Sequence, residues 1–118
     1  MNEGFLDSLK QWGCDTEGAM ERMLDDSEFF MQCLDDYCSS NMLIQLKSYI
    51  DGKNIKEGDD MAHSIKGLAA NLGLNDISDM SRDIMHHIRA GDFNSADAIF
   101  AKMQIRQSEL EDIIAKYK

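Results

Sequence analysis

Not one residue of the chain is proline, so nothing in it is obliged to leave a helix. Apolar residues recur at three- and four-residue spacing along its whole length, and no stretch shows the alternation of a half-buried strand. The breaks fall to glycine and asparagine instead. Phe5, Leu6, Leu9 and Trp12 share one face of a short helix that ends at Gly13. Asp15 is placed to cap a second, with Glu17 in its first turn and Ala19, Met20, Met23 and Leu24 on its apolar face. A third begins near Ser27 and presents Phe30, Cys33, Leu34, Tyr37 and Cys38. Its phase slips at Ser39-Ser40-Asn41, after which Leu43, Leu46 and Ile50 fall on another arc, so a kink or short break is predicted there. Asp51-Gly52 stops this segment, and Asn54 is placed to cap a helix running to Gly73. Ile77, Met80, Ile84 and Ile88 stripe the next helix, closed by Ala90-Gly91. Asp92 or Asn94 caps the last, whose apolar stripe from Ala96 to Tyr117 lasts about six turns.

These elements predict an all-α chain: an antiparallel four-helix bundle over residues 27–117, with short additional N-terminal helices over residues 1–24. At 118 residues, with no linker or low-complexity tract, residues 1–118 make a single domain. The formal net charge of −10 argues against nucleic acid or an anionic membrane surface as a partner. The opening MNEGFLDSLK has neither a basic n-region nor a long apolar run, so the expected location is the cytoplasm. Cys14, Cys33 and Cys38 are an odd set without C-x-x-C spacing and read as reduced packing thiols. The nine methionines read as adaptable core filler.

One stretch does not fit a purely structural reading. Residues 62–73 are A-H-S-I-K-G-L-A-A-N-L-G, with a glycine at 67 in a helix interior, where it costs about 1 kcal/mol against alanine. With Ala62 at the origin of a helical wheel, the buried arc holds Ile55, Gly58, Met61, Ile65, Leu68, Ala69 and Leu72. His63 falls about 100° from Ala62, off that arc, flanked by Lys66, Asp59, Ala70, Lys56 and Gly67. An exposed imidazole near neutral pH is largely uncharged, with one nitrogen free as a nucleophile. A lysine one turn away suits a phosphoryl oxygen, because phosphoryl transfer is mostly positioning and charge stabilisation. The missing side chain at 67 lets another protein's active site close over the ring. A general base would instead want a carboxylate orienting the ring, and Asp59 is the only nearby candidate.

A-H-S-I-K-G-L-A-A-N-L-G resembles the signature of histidine-containing phosphotransfer (HPt) domains, His-x-(Leu/Ile)-Lys-Gly with a second glycine, here Gly73, six residues on. It is also similar to the N-terminal domain of chemotaxis histidine kinases. G-x-D-x-x-x-x-x-x-R at Gly13, Asp15 and Arg22 and R-A-G-D-F at 89–93 resemble further family features. The resemblance implies that His63 accepts a phosphoryl group and Lys66 steadies it. It also implies that Gly67, Ala70 and Asp59 lie on the access and partner face, and that Gly73 permits a close helix approach. The implied role is a phosphorelay intermediate of a two-component system: it takes a phosphoryl group from the aspartyl phosphate of a response-regulator receiver domain and passes it to another. The receiver of a hybrid histidine kinase is among the implied partners. No cofactor is expected in this chain, Mg²⁺ being expected in the partner receiver. Two departures stand out: many relatives have Leu-Glu where this chain has Ile84-Met85, which removes an acidic partner for the ring, and Asn54 stands where Asp is common.

Other chemistries fit less well. His86 and His87 diverge by about 100° on a helix and no H-x-x-x-H pair exists, so no metal site is expected. There is no P-loop and no G-x-G-x-x-G, so neither ATP binding nor independent kinase activity is expected. The remaining alternative is a non-phosphorylated helical adaptor that binds a receiver or kinase domain, which would have no need of the histidine.

Overall fold

The computed structural model describes residues 2–118, without the Asn2 side chain; the domain expected over 1–118 therefore includes one residue, Met1, outside the described set. Among the described residues seven helices follow one another: α1 (Asn2–Trp12), α2 (Thr16–Arg22), α3 (Ser27–Ser39), α4 (Met42–Asp51), α5 (Ile55–Asn71), α6 (Asn75–Arg89) and α7 (Phe93–Tyr117). No strand occurs among the described residues. The break expected at Ser39-Ser40-Asn41 separates α3 from α4. Asp15, Asp26 and Asp92 cap α2, α3 and α7, each accepting a hydrogen bond from a backbone N–H three residues on.

α5 packs against α6, α6 against α7, and α4 against both α5 and α7, while α3 extends α4 along α7. Side-chain contacts fix the directions. Asp59 meets Arg89 and Lys66 meets Ser78 across α5 and α6, and Lys47 meets Asp97 while Tyr37 meets Gln107 across α4, α3 and α7. Both pairings are antiparallel. Leu34, Leu46, Ile50, Ile65, Ile84, Ile88, Phe100 and Met103 are buried between them. The Tyr37 hydroxyl, buried in this core, donates to Gln107 Oε1 at 2.7 Å, so the interior phenol is satisfied rather than stranded. α1 lies on α7 through Phe5, Leu9 and Trp12, pinned where Trp12 Nε1–H donates to the Arg106 carbonyl and the Arg106 guanidinium covers the indole at 4.2 Å.

Four local expectations need correction. α2 ends at Arg22, and Leu24, expected on its apolar face, is 89% exposed with φ 55°. Ile55, expected on the buried arc, is 49% exposed because it opens α5 at the bundle's edge, where azimuth alone does not guarantee a neighbour. Leu68, at the margin of that arc, is also exposed. Asn54 holds the N-cap position of α5 but its side chain makes no capping bond; its amide lies against Gly52 instead. The methionines behave as expected: Met23, Met85 and Met103 are buried and Met20, Met31, Met42, Met61 and Met80 pack against the core, with Met1 outside the described residues.

Candidate functional site

α5 buries a narrow seam of small and branched residues, Gly58, Ala62, Ile65 and Ala69. At Gly58 the backbone approaches α6 so closely that a Cβ would lie 3.1 Å from Ile88. Two contacts fix the register of α5 on α6. Ser78 Oγ donates to the Lys66 carbonyl at 3.0 Å, and Arg89 Nε donates to Asp59 Oδ1 at 2.8 Å. They lie one turn to either side of His63, so the segment carrying the ring is held at both ends. The imidazole itself is exposed and makes no hydrogen bond or ion pair among the described residues.

The other expected residues distribute as follows. Lys66, one turn on and half-buried, has no ion-pair partner among the described residues. A Cβ on Gly67 would meet nothing within 4 Å, and Ala70 is exposed. The surface from the ring toward the C-terminus of α5 is therefore bare backbone and methyl. Asp59, the nearby carboxylate, is engaged by Arg89 and does not bond the ring. Met85, where many relatives carry an acid, is buried in the helix interface. Among the described residues no carboxylate bonds the imidazole.

Gly73 sits apart from the ring. It takes φ +77° just past α5, a left-handed conformation that suits glycine. A Cβ there would lie 2.5 Å from the Asp15 carbonyl oxygen. The backbone that comes close is thus the α1–α2 connection, whose Asp15 N–H donates to the Gly73 carbonyl at 2.9 Å. Arg22 completes this junction: Nε and one terminal nitrogen donate to the Asn71 and Ala70 carbonyls at 2.8 and 3.1 Å. A guanidinium there bonds the Asn71 carbonyl, adds to the Gly73 N–H already on the Ala70 carbonyl, and complements the helix dipole. Arg22 entered the sequence reading only through the family resemblance; nothing in local spacing assigns it to the end of a helix half a chain away. Beneath the same junction Cys14 donates to the Leu72 carbonyl at 3.5 Å, and burial, ahead of the neighbouring Asp15, pushes its thiol up to about 12. It is a protonated packing group.

His86 is exposed, and His87 turns toward Asp92 at 3.7 Å. Among the described residues no group of three or more His, Cys, Asp or Glu side chains could hold a metal ion, and no helix is long and apolar enough to cross a membrane.

The geometry is that of an exposed, unpartnered histidine on a clamped helix, with a lysine one turn on and open space beside it. A family model, Hpt domain, matches residues 19–117. The chain is an Hpt domain. Searches of curated proteins and of solved structures returned no match. Membership gives the chain a histidine phosphotransfer role in two-component signalling, as a carrier rather than a kinase, with response-regulator receiver domains as its class of partner.

Proposed function

We propose that this Hpt domain is a phosphorelay intermediate with His63 as its acceptor. The free imidazole nitrogen attacks the phosphorus of a receiver's aspartyl phosphate. An N–P bond forms as the P–O bond to the carboxylate breaks, and the carboxylate leaves with the bonding electrons. Transfer onward to a second receiver runs the same step in reverse. The observation that carries this reading is the environment of His63: exposed, without a partner, on a segment fixed at Asp59 and Lys66. A nucleophile that must enter another protein's active site gains from being held in place by its helix rather than by bonds to its own ring.

Lys66 places an ammonium near the transferring oxygens, where negative charge concentrates. Gly67 and Ala70 leave room for the partner. The partner receiver supplies Mg²⁺ and most of the catalytic charge. Met85 is buried and Asp59 is tied to Arg89, so neither bonds the ring.

The test is incubation of the protein with receivers phosphorylated on aspartate, following label on both chains. Movement of label onto this chain, and from it to a second, unphosphorylated receiver, is the expected result. Tight binding to a receiver with no label taken from any phosphorylated one would instead establish the adaptor.

A further inference from the structure

A groove of about 790 Å³ lies between α1 and α2, away from His63. Its apolar floor is Leu6 and Met20, both packed on the core from below but not covered from above. Its rim carries Glu3, Asp7, Glu17, Glu21 and Asp25 against a single cation, Lys10. These five carboxylates are exposed, and none accepts a side-chain hydrogen bond or ion pair among the described residues. Several acids elsewhere are engaged, Asp59 by Arg89, Asp97 by Lys47, Asp76 by Arg106 and Asp35 by Lys118, while Glu28, Glu57 and Asp112 are exposed but stand outside this groove.

Two further features mark this groove. The α1 wall lies ahead of residues 19–117, the segment matched by the family model, whereas Met20, Glu21 and Asp25 lie within it. At its far end Leu24 and Asp25 occupy consecutive left-handed conformations, φ 55° and 60°. That backbone conformation is unfavourable for residues other than glycine and leaves the Leu24 side chain 89% exposed beside the acidic rim.

We infer that the α1–α2 groove docks a cationic amphipathic segment of a partner protein, its apolar residues seated on Leu6 and Met20 and its lysines or arginines on the acidic rim. Charge complementarity selects this occupant. An acidic or neutral helix would leave five like charges unanswered at close range, whereas a basic one meets them without displacing any existing ion pair. The methionine floor accommodates a range of apolar shapes. A purely polar polycation would satisfy the rim and leave the floor uncovered. The inference stands apart from the phosphoryl reading, and its test involves no phosphorylation.

The probe is a synthetic helical peptide of about three turns, leucines along one face and lysines along the other, titrated calorimetrically into the full chain, with spermine as a purely polar comparison. Neutralising the rim with Asp7→Asn/Glu17→Gln/Glu21→Gln is expected to weaken the peptide about tenfold. The same charge removed elsewhere, in Glu28→Gln/Glu57→Gln/Asp112→Asn, should change affinity less than about twofold. Leu6→Gln/Met20→Gln should weaken the peptide by a similar tenfold and leave spermine unaffected. Thermal melts followed by circular dichroism confirm that each variant keeps its helical fold. Equal weakening by the two charge-neutralised variants would reduce the effect to net charge and overturn the proposal. So would a peptide indifferent to the floor substitutions, or spermine binding as tightly as the peptide.

Discussion

Gly67 and Gly73 stand six residues apart in one signature, yet their substitution should move stability in opposite directions. At Gly73 the backbone is left-handed, φ +77°, which costs an alanine about 1–2 kcal/mol. Its Cβ would also sit 2.5 Å from the Asp15 carbonyl oxygen. The connection must retreat, straining the Asp15 N–H bond to the Gly73 carbonyl, a loss of about 0.5–1.5 kcal/mol. Gly73→Ala is therefore expected to destabilise the protein by about 1.5–3.5 kcal/mol. At Gly67 a Cβ meets nothing within 4 Å, and only helix propensity remains, so Gly67→Ala should stabilise by up to about 1 kcal/mol. Gly67→Leu should hold or raise stability too, but place a bulky side chain beside His63 and slow phosphoryl transfer. Urea unfolding followed by circular dichroism measures each effect as a shift in midpoint at unchanged m value. A Gly73→Ala cost below about 1 kcal/mol would refute the close-approach argument. A destabilised Gly67→Ala, or unimpaired transfer in Gly67→Leu, would refute the open-surface argument.

Two further outcomes follow from the same structure. Lys66→Ala should slow transfer about ten- to a hundredfold, or about 1.4–2.7 kcal/mol of barrier, while the affinity for unphosphorylated receiver changes less; lost binding with a normal rate in the residual complex would make Lys66 a docking residue. Burial raises the Cys14 and Cys38 thiols from 9.0 to about 12, so above pH 9 the folded chain keeps protons that the unfolded chain sheds. Stability should therefore fall from about pH 9 to about pH 12, and Cys14→Ala/Cys38→Ala should flatten that fall in urea midpoints taken across the range.

The helices were legible in the sequence because their stops are chemical. Gly13, Asp15, Ser40-Asn41, Gly52 and Gly91-Asp92 each fall within two residues of an observed boundary. The placement of His63 off the core followed from azimuth alone, since α5 is long and its buried arc narrow. Axial position is what the wheel could not supply. Ile55 has the azimuth of a core residue and stands exposed at a helix start, and Leu24 lies two residues past the end of α2. Long-range partners were equally out of reach. The Arg22 clamp on the Ala70 and Asn71 carbonyls, the Asp59–Arg89 pair and the α1–α2 groove join residues whose proximity no local pattern encodes.

The acceptor assignment meets its most direct test in the chemistry of the label. After incubation with a phosphorylated receiver, the wild-type chain should carry an alkali-stable, acid-labile phosphoryl group. His63→Gln should keep the wild-type melting temperature, because the ring is exposed and unpartnered, and should take no label at all. Acid-stable label on the wild-type chain, or label that persists in folded His63→Gln, would contradict the assignment and move the acceptor elsewhere.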